Sequence, residues 1–140
     1  MATRFFFTVQ VNSLKSRTEL KAFIEKIFRK HKRLPGNINY IFCSDEELLE
    51  INRQHLRHDY YTDIITFDLS EQQDVLDADI YISVERVREN AKKLGINLNK
   101  ELHRVIFHGA LHLVGYKDKR PGDVKAMRAA EEELLNRYFK

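Results

Sequence analysis

The stretch after Asn97 holds Leu102, Val105, Ile106, Leu111 and Leu113, the richest apolar run in the chain, and it constrains the fold more than any other feature. A helix that is apolar nearly all round must be buried, so the remaining elements have to wrap around it. Gly115 is its natural stop, because glycine takes the backbone conformations that end a helix at no steric cost. At 140 residues the chain is long enough to build one such core without disulfide staples.

The other elements follow from periodicity and punctuation. Phe5 to Gln10 reads as a first strand. Between Ser16 and about Lys32 the residues Leu20, Phe23, Ile24, Ile27 and Phe28 recur at helical spacing, after the capping candidates Ser16 and Thr18. Leu34-Pro35-Gly36 reads as a turn and Ile38 to Phe42 as a second strand. Ser44 with Glu47 forms a capping box for a helix to about His55. Thr62 to Leu69 and Asp79 to Ser83 are β-branched and aromatic, hence strands. Ser83 opens a helix that Gly95 ends. Gly122 to Tyr138 is the last helix, with Val124, Met127, Ala130, Leu134 and Leu135 as its inner stripe. The order βαβαββααα predicts one α+β domain over residues 1–140, with a mixed sheet of about four strands and helices around the central one.

Composition sets only loose bounds. A single cysteine, Cys43, leaves no internal disulfide and makes a cytoplasmic protein the expectation. No stretch resembles a signal peptide, and the apolar run Phe5 to Val11 is far below the ~20 residues of a membrane span. Lys and Arg exceed Asp and Glu by 24 − 21 = +3. That excess permits a polyanionic partner without demanding one.

Chemistry enters with His108 and His112. They are four residues apart, so they share one helix face about 6 Å apart along the axis, a spacing at which two imidazoles can hold one metal ion. Paired histidines at this spacing are often only surface or core residues. Here they lie in the most apolar helix, where unpartnered imidazoles are costly to bury. Gly115 lets the chain turn back, and Asp118 is placed to return beneath the ion as third ligand. Three protein ligands would leave a coordination position open, the layout of a catalytic metal. In the zincin proteases a glutamate follows the first histidine as general base; Gly109 stands there instead, which argues against peptide hydrolysis.

The segment His108-Gly109-Ala110-Leu111-His112-Leu113-Val114-Gly115-Tyr116-Lys117-Asp118 resembles the hallmark H-G-x-L-H-L-x-G-Y-D-H of the YbeY family of bacterial metal-dependent endoribonucleases. Thr62 to Phe67 is similar to that family's T-[DN]-V-L-S-F strand, Asp79 to Ser83 to its G-D-I-x-I-S strand, and Glu101 to the glutamate that opens its metal helix. The resemblance spans roughly Ile51 to Lys119. It implies hydrolysis of single-stranded RNA, in 3′-end maturation of 16S rRNA and in ribosome quality control at the small subunit. It also implies one divalent metal, Zn²⁺ by preference, on His108, His112 and the residue at 118. Lys117 and Asp118 depart from the family's Asp-His. A carboxylate is a harder ligand than imidazole, so Mn²⁺ or another oxygen-preferring ion becomes more competitive. The family's arginine aligns at Leu56, and Arg57, one residue on, is the candidate for neutralising phosphate charge. Asp63, if it ends a strand facing the site, is a candidate for proton transfer or for supporting a ligand, and otherwise a strand-end turn residue; Asp79 and Glu101 are weaker candidates of the same kind, or structural hydrogen-bond acceptors.

For RNA phosphates two basic clusters qualify, Arg29 to Arg33 and the group Arg53, His55, Arg57 and His58. The first also suits the end of a helix, whose dipole favours cations. Tyr60 and Tyr61 could stack on a base or pack. Two other readings stay open: a metal hydrolase of a different substrate, and a ribosome-associated binding protein with a vestigial metal site.

Overall fold

The computed structural model describes residues 2–12 and 14–140. Its elements are β1 (Thr3–Phe7), α1 (Arg17–Lys30), β2 (Leu34–Cys43), α2 (Asp45–Ile51) running into a π-helical turn (Asn52–Leu56), β3 (Ile64–Asp68), β4 (Val75–Ser83), α3 (Val84–Leu94), α4 (Leu98–Leu113) and α5 (Pro121–Tyr138). The four strands form one mixed sheet in the order β1-β2-β4-β3. β1 and β4 run parallel to β2, while β3 is an antiparallel edge on β4. This is the α+β architecture expected from the order of elements.

Strand alternation gives the sheet two apolar faces. Tyr40, Phe42, Ile80 and Ile82 lie in the main core with α1 and α4, and α5 packs on α4. Cys43 and Ile65 pack with Leu48 of α2 on the other side, joined by Phe67 and Tyr81. The buried Tyr40 hydroxyl donates to the Ile106 carbonyl at 2.9 Å, tying the central strand to the central helix. A Cβ on Gly109 would lie 3.0 Å from Ile64 Cδ1 and 3.2 Å from Ile80 Cγ2. Gly109 is therefore where α4 presses against the sheet, and a glutamate there would be driven into the core instead of the site.

Several boundaries differ from the sequence expectation, for identifiable reasons. β1 ends at Phe7 because its partner β2 ends: Phe7 pairs with Phe42, Thr8 makes the last bond to the Phe42 carbonyl, and Val9 and Gln10 find no partner strand. Leu34-Pro35-Gly36 is no turn but the start of β2. The Leu34 amide donates to the Asp74 carbonyl at 2.7 Å, and the register shifts between Pro35 and Ile38. Such an irregularity accommodates a proline that cannot donate to the ladder. β4 starts four residues early, at Val75, because it follows β2 along this extension. Ser16 precedes α1 in a left-handed conformation (φ 53°) and its side chain caps nothing. The capping box of Ser44 and Glu47, the Ser83 cap and the left-handed Gly95 stop are all present. In α5, Val124 points outward, and Glu131 takes the inner place.

Candidate metal centre

His108 and His112 project from the C-terminal half of α4, and the chain beyond α4 returns to meet them. Gly115 makes that return possible. Its φ of +111° is a conformation residues with a Cβ rarely adopt. Its amide donates to the His112 carbonyl and the Tyr116 amide to Leu111, closing the helix before the chain reverses. Asp118 Oδ2 then lies 3.2 Å from His108 Nε2 and 3.6 Å from His112 Nε2. One donor atom from each of the three residues falls within 4.8 Å of the others.

Both rings are held from behind. His112 Nδ1 donates to the Tyr116 carbonyl at 2.8 Å, a bond the Gly115 turn creates. His108 Nδ1 donates to Glu131 Oε2 at 2.6 Å. Both partners act as acceptors here, which assigns a proton to each Nδ1 and turns each Nε2 toward the Asp118 carboxylate. An imidazole anchored through its far nitrogen is the arrangement that orients metal-ligating histidines. Two such nitrogens and one carboxylate oxygen form a donor set that fits a divalent ion.

Glu131 belongs to a buried ionic chain. Glu101 and Glu131 are almost wholly buried, and Arg104 lies between them. Arg104 grips Glu101 with two bonds of 2.7 and 2.8 Å and donates to Glu131 at 2.9 Å. Residues 101, 104, 108 and 112 recur at three- and four-residue intervals, so one stripe of α4 carries Glu101, Arg104 and both histidines, and Glu131 of α5 links Arg104 to His108. Burial alone would raise the Glu131 pKa. The His108 hydrogen bond and the Arg104 charge outweigh it and hold the carboxyl below its ordinary range.

In front of His108, His112 and Asp118 opens a cavity of about 400 Å³, lined among others by Asp63, Thr66, Arg104 and Arg128. Burial pushes the Asp63 carboxyl up, opposed chiefly by the charge of Arg104. Its backbone carbonyl, bonded to Ser83, fixes it where β3 begins. Of the residues proposed from sequence, His108, His112, Asp118 and Asp63 therefore come together in one cavity. Arg57 stands at its edge. Its neighbours Leu56 and His58 line the cavity, whereas Arg57, at a left-handed φ of 56°, is exposed at the end of the π-helical turn and is not among the lining residues. Tyr60 also lines the cavity, stacked on His58 with ring centroids 5.1 Å apart. Tyr61 instead donates its hydroxyl to Glu46 and lies under the Arg86 guanidinium. Asp79 accepts from Asn39 in the sheet, and Glu101 acts only through Arg104.

Sequence reasoning missed Arg104, Arg128 and Glu131. The signal for Glu131 was present: it lies four residues after Met127, on the apolar stripe of α5, where an acid has no reason to sit unless partnered.

A family model described as Endoribonuclease YbeY matches residues 7–139. Among curated relatives, Endoribonuclease YbeY of Cytophaga hutchinsonii is 47% identical over 135 residues, covering 96% of this chain and 94% of the relative. The protein of the same name from Bacteroides thetaiotaomicron is 48% identical over 127 residues, covering 91% of each. A solution structure of a Thermotoga maritima protein superposes with a TM-score of 0.65 at 28% identity, over 96% of this chain and 91% of that one. The class these matches and the cavity define is that of the nucleases, hydrolases acting on ester bonds. The chain belongs to the Endoribonuclease YbeY family.

Proposed function

We propose that this protein is a metal-dependent endoribonuclease that cleaves single-stranded RNA in rRNA processing, at the 3′ end of 16S rRNA and in ribosome quality control on the small subunit. That substrate places it in the cytoplasm. Among the described residues no helix is long and apolar enough to cross a membrane. The observation that carries the reading is the convergence of His108 Nε2, His112 Nε2 and Asp118 Oδ2, with both imidazoles anchored from behind, inside a cavity that also holds Asp63 and two arginines.

A divalent ion bound there would supply Lewis acidity toward a phosphoryl oxygen and an attacking water. The residues supply the rest. Arg128, more than half exposed at the cavity wall and tied to Glu131 by one long pair of 3.6 Å, can swing toward a phosphate. Arg57 provides a second cation at the mouth. Arg104 is fully engaged and serves to fix Glu131, and through it His108. Asp63 takes or returns a proton. The exposed His58–Tyr60 stack offers a surface on which an unpaired base can lie, which a base held in a duplex could not reach. An oligonucleotide should accordingly be cut when single-stranded and spared when annealed to its complement, and chelator should stop the reaction. Equal cutting of both forms would remove the single-strand reading.

Asp118 is the residue that departs from the family hallmark. Asp118→Ala should weaken metal affinity by more than the roughly 10- to 100-fold that loss of an outer-shell partner costs. Asp118→His should retain a metal and shift preference from Mn²⁺ toward Zn²⁺, as the softer ligand replaces the harder. Competitive metal titrations on the two variants check both. Unchanged affinity in Asp118→Ala would make Asp118 a bystander.

Asp63 gives a pH prediction. Its carboxyl is raised by burial, so the deprotonated form is lost at a higher pH than for an ordinary carboxylate as the solution is acidified. Cleavage should fall on the acid side with a limb that Asp63→Asn removes, along with roughly 10²-fold or more of the rate. The same acid limb persisting in Asp63→Asn would assign it to another group.

A further inference from the structure

On the far side of the metal-ligand loop lies a second hollow, of about 560 Å³, between α1, α5 and the end of α4. Its floor is apolar, built from Phe23, Ile27, Leu111 and Leu134. Its rim carries Lys26, Arg29, Lys30 and Arg137 against one acid, Glu133, and His31 adds an imidazole. The permanent charges of this lining give 4 − 1 = +3, equal to the formal excess of the whole chain. Arg29 and Arg137 make only long, exposed pairs of 3.8 Å with Glu25 and Glu133, and among the described residues no ion pair ties Lys26 or Lys30. The helix dipole accounts for cations in the last turns of α1 and α5, but not for Lys26, nor for the open apolar floor between them. Phe23 of α1 meets Tyr138 at the end of α5, and His31 after α1 meets Tyr116 in the loop that precedes α5. Lys26, Arg29 and Lys30 line the α1 side of the hollow and Arg137 its α5 side.

The hollow is also connected to the metal centre. His112 and Asp118 line both the catalytic cavity and a neighbouring depression that contains Lys119 and Arg120. Lys117 and Asp123 carry that depression into the next, and His31 and Tyr116 carry the next into the α1–α5 hollow. The Gly115–Arg120 loop that positions Asp118 is therefore also the wall of a shallow, basic track. An apolar floor accepts the face of a base and a cationic rim accepts phosphates, the combination by which single strands are held without base-edge readout.

We propose that the α1–α5 hollow is a second RNA-binding site, occupied by a part of the same single strand that lies some nucleotides away from the phosphate at His108, His112 and Asp118. This rests on the ribonuclease reading above. It gives the enzyme a preference for long single strands over short ones, set at a distance from the chemistry.

The test measures binding apart from cleavage, using the full chain and the Lys26→Glu/Lys30→Glu variant, both substitutions lying at exposed positions outside the metal centre. Two labelled single-stranded RNAs of about 4 and about 16 nucleotides serve as probes. The variant should bind the longer RNA about tenfold more weakly, and its slope of log affinity against log salt should lose about 1.4, roughly 0.7 per lost phosphate contact. Its binding and cleavage of the shorter RNA should match the unsubstituted protein. Equal affinity for the longer RNA, or an equal loss for both lengths, overturns the proposal. So does a hollow that takes polyglutamate in a Lys26- and Lys30-dependent way while RNA affinity is unaffected, since the occupant is then an acidic protein segment. Failure of the unsubstituted protein to cleave either RNA, with length-dependent binding intact, would instead count against the catalytic reading and leave the second binding site standing.

Discussion

Arg104→Met should lower stability at pH 7 by about 3–5 kcal/mol, the cost of removing one partner from a buried ionic cluster. For a chain of this length that corresponds to a fall in Tm of roughly 10–15 °C. The reason is arithmetic of charge in a space closed to water. Glu101 and Glu131 are together −2, and the guanidinium between them holds both through three hydrogen bonds of 2.7–2.9 Å. Methionine fills similar volume but leaves two nearly inaccessible carboxylates without the cation they share, Glu131 keeping only His108 and a long pair with Arg128. In the unsubstituted protein the Glu131 carboxyl is held low, so its contribution to stability is present above the unfolded pKa of about 4.3 and is lost as pH falls through the still lower folded value. In the variant the Glu131 carboxyl loses the Arg104 charge that offsets its burial and should rise, so its ionisation no longer favours folding as it does in the unsubstituted protein. The stability gap between the two proteins should therefore be wide at pH 7 and narrow below about pH 4. Arg104→Lys, which keeps the charge and loses the fork geometry, should fall between them. Denaturant unfolding at several pH values decides the matter. A gap under about 1 kcal/mol that does not vary with pH would show that the cluster is not a buried ionic one.

The second large effect is expected at the histidines. His108→Ala/His112→Ala removes two of the three proposed ligands, and each aligned ligand adds to the affinity of such a site. Cleavage should drop by roughly 10³-fold or more, the scale of several kcal/mol of transition-state stabilisation. A readout independent of activity accompanies it. A ligand that binds only the folded state stabilises it by about 2.7 kcal/mol at a concentration a hundred times its Kd. Added divalent metal should therefore raise the Tm of the unsubstituted protein by several degrees and leave the double variant unmoved. The fold should survive the change, because Glu131 keeps its Arg104 partner when His108 is gone.

What could be seen in the sequence was whatever depends on neighbours along the chain. The histidine pair, the Gly115 stop and the capping box at Ser44 are local patterns with local causes, and each is in place. The placement of Asp118 also followed from local reasoning, since only a turn at Gly115 separates it from His112. What stayed hidden depends on contacts across the fold. The ends of β1, β2 and β4 are set by which strand lies alongside, as Leu34 pairing with Val75 shows. Glu131 meets His108 across 23 positions of sequence, and no spacing rule connects two helices whose packing is not yet known. Gly109 could be read chemically, as a missing base, but its physical cause is Ile64 and Ile80 in strands distant along the chain. Arg29 to Arg33 looked like one cluster. The fold sends Arg29, Lys30 and His31 to the α1–α5 hollow and sets Leu34, just past the run, in a strand.

The most direct test of the metal-centre account is to measure divalent metal content and chelator-sensitive cleavage of single-stranded RNA on the same preparations of the unsubstituted protein and of His108→Ala/His112→Ala. The account predicts about one ion per chain and cleavage abolished by chelator in the first, and neither ion nor cleavage in the second. A double variant that retains the same metal content and cuts RNA at the same rate would contradict it.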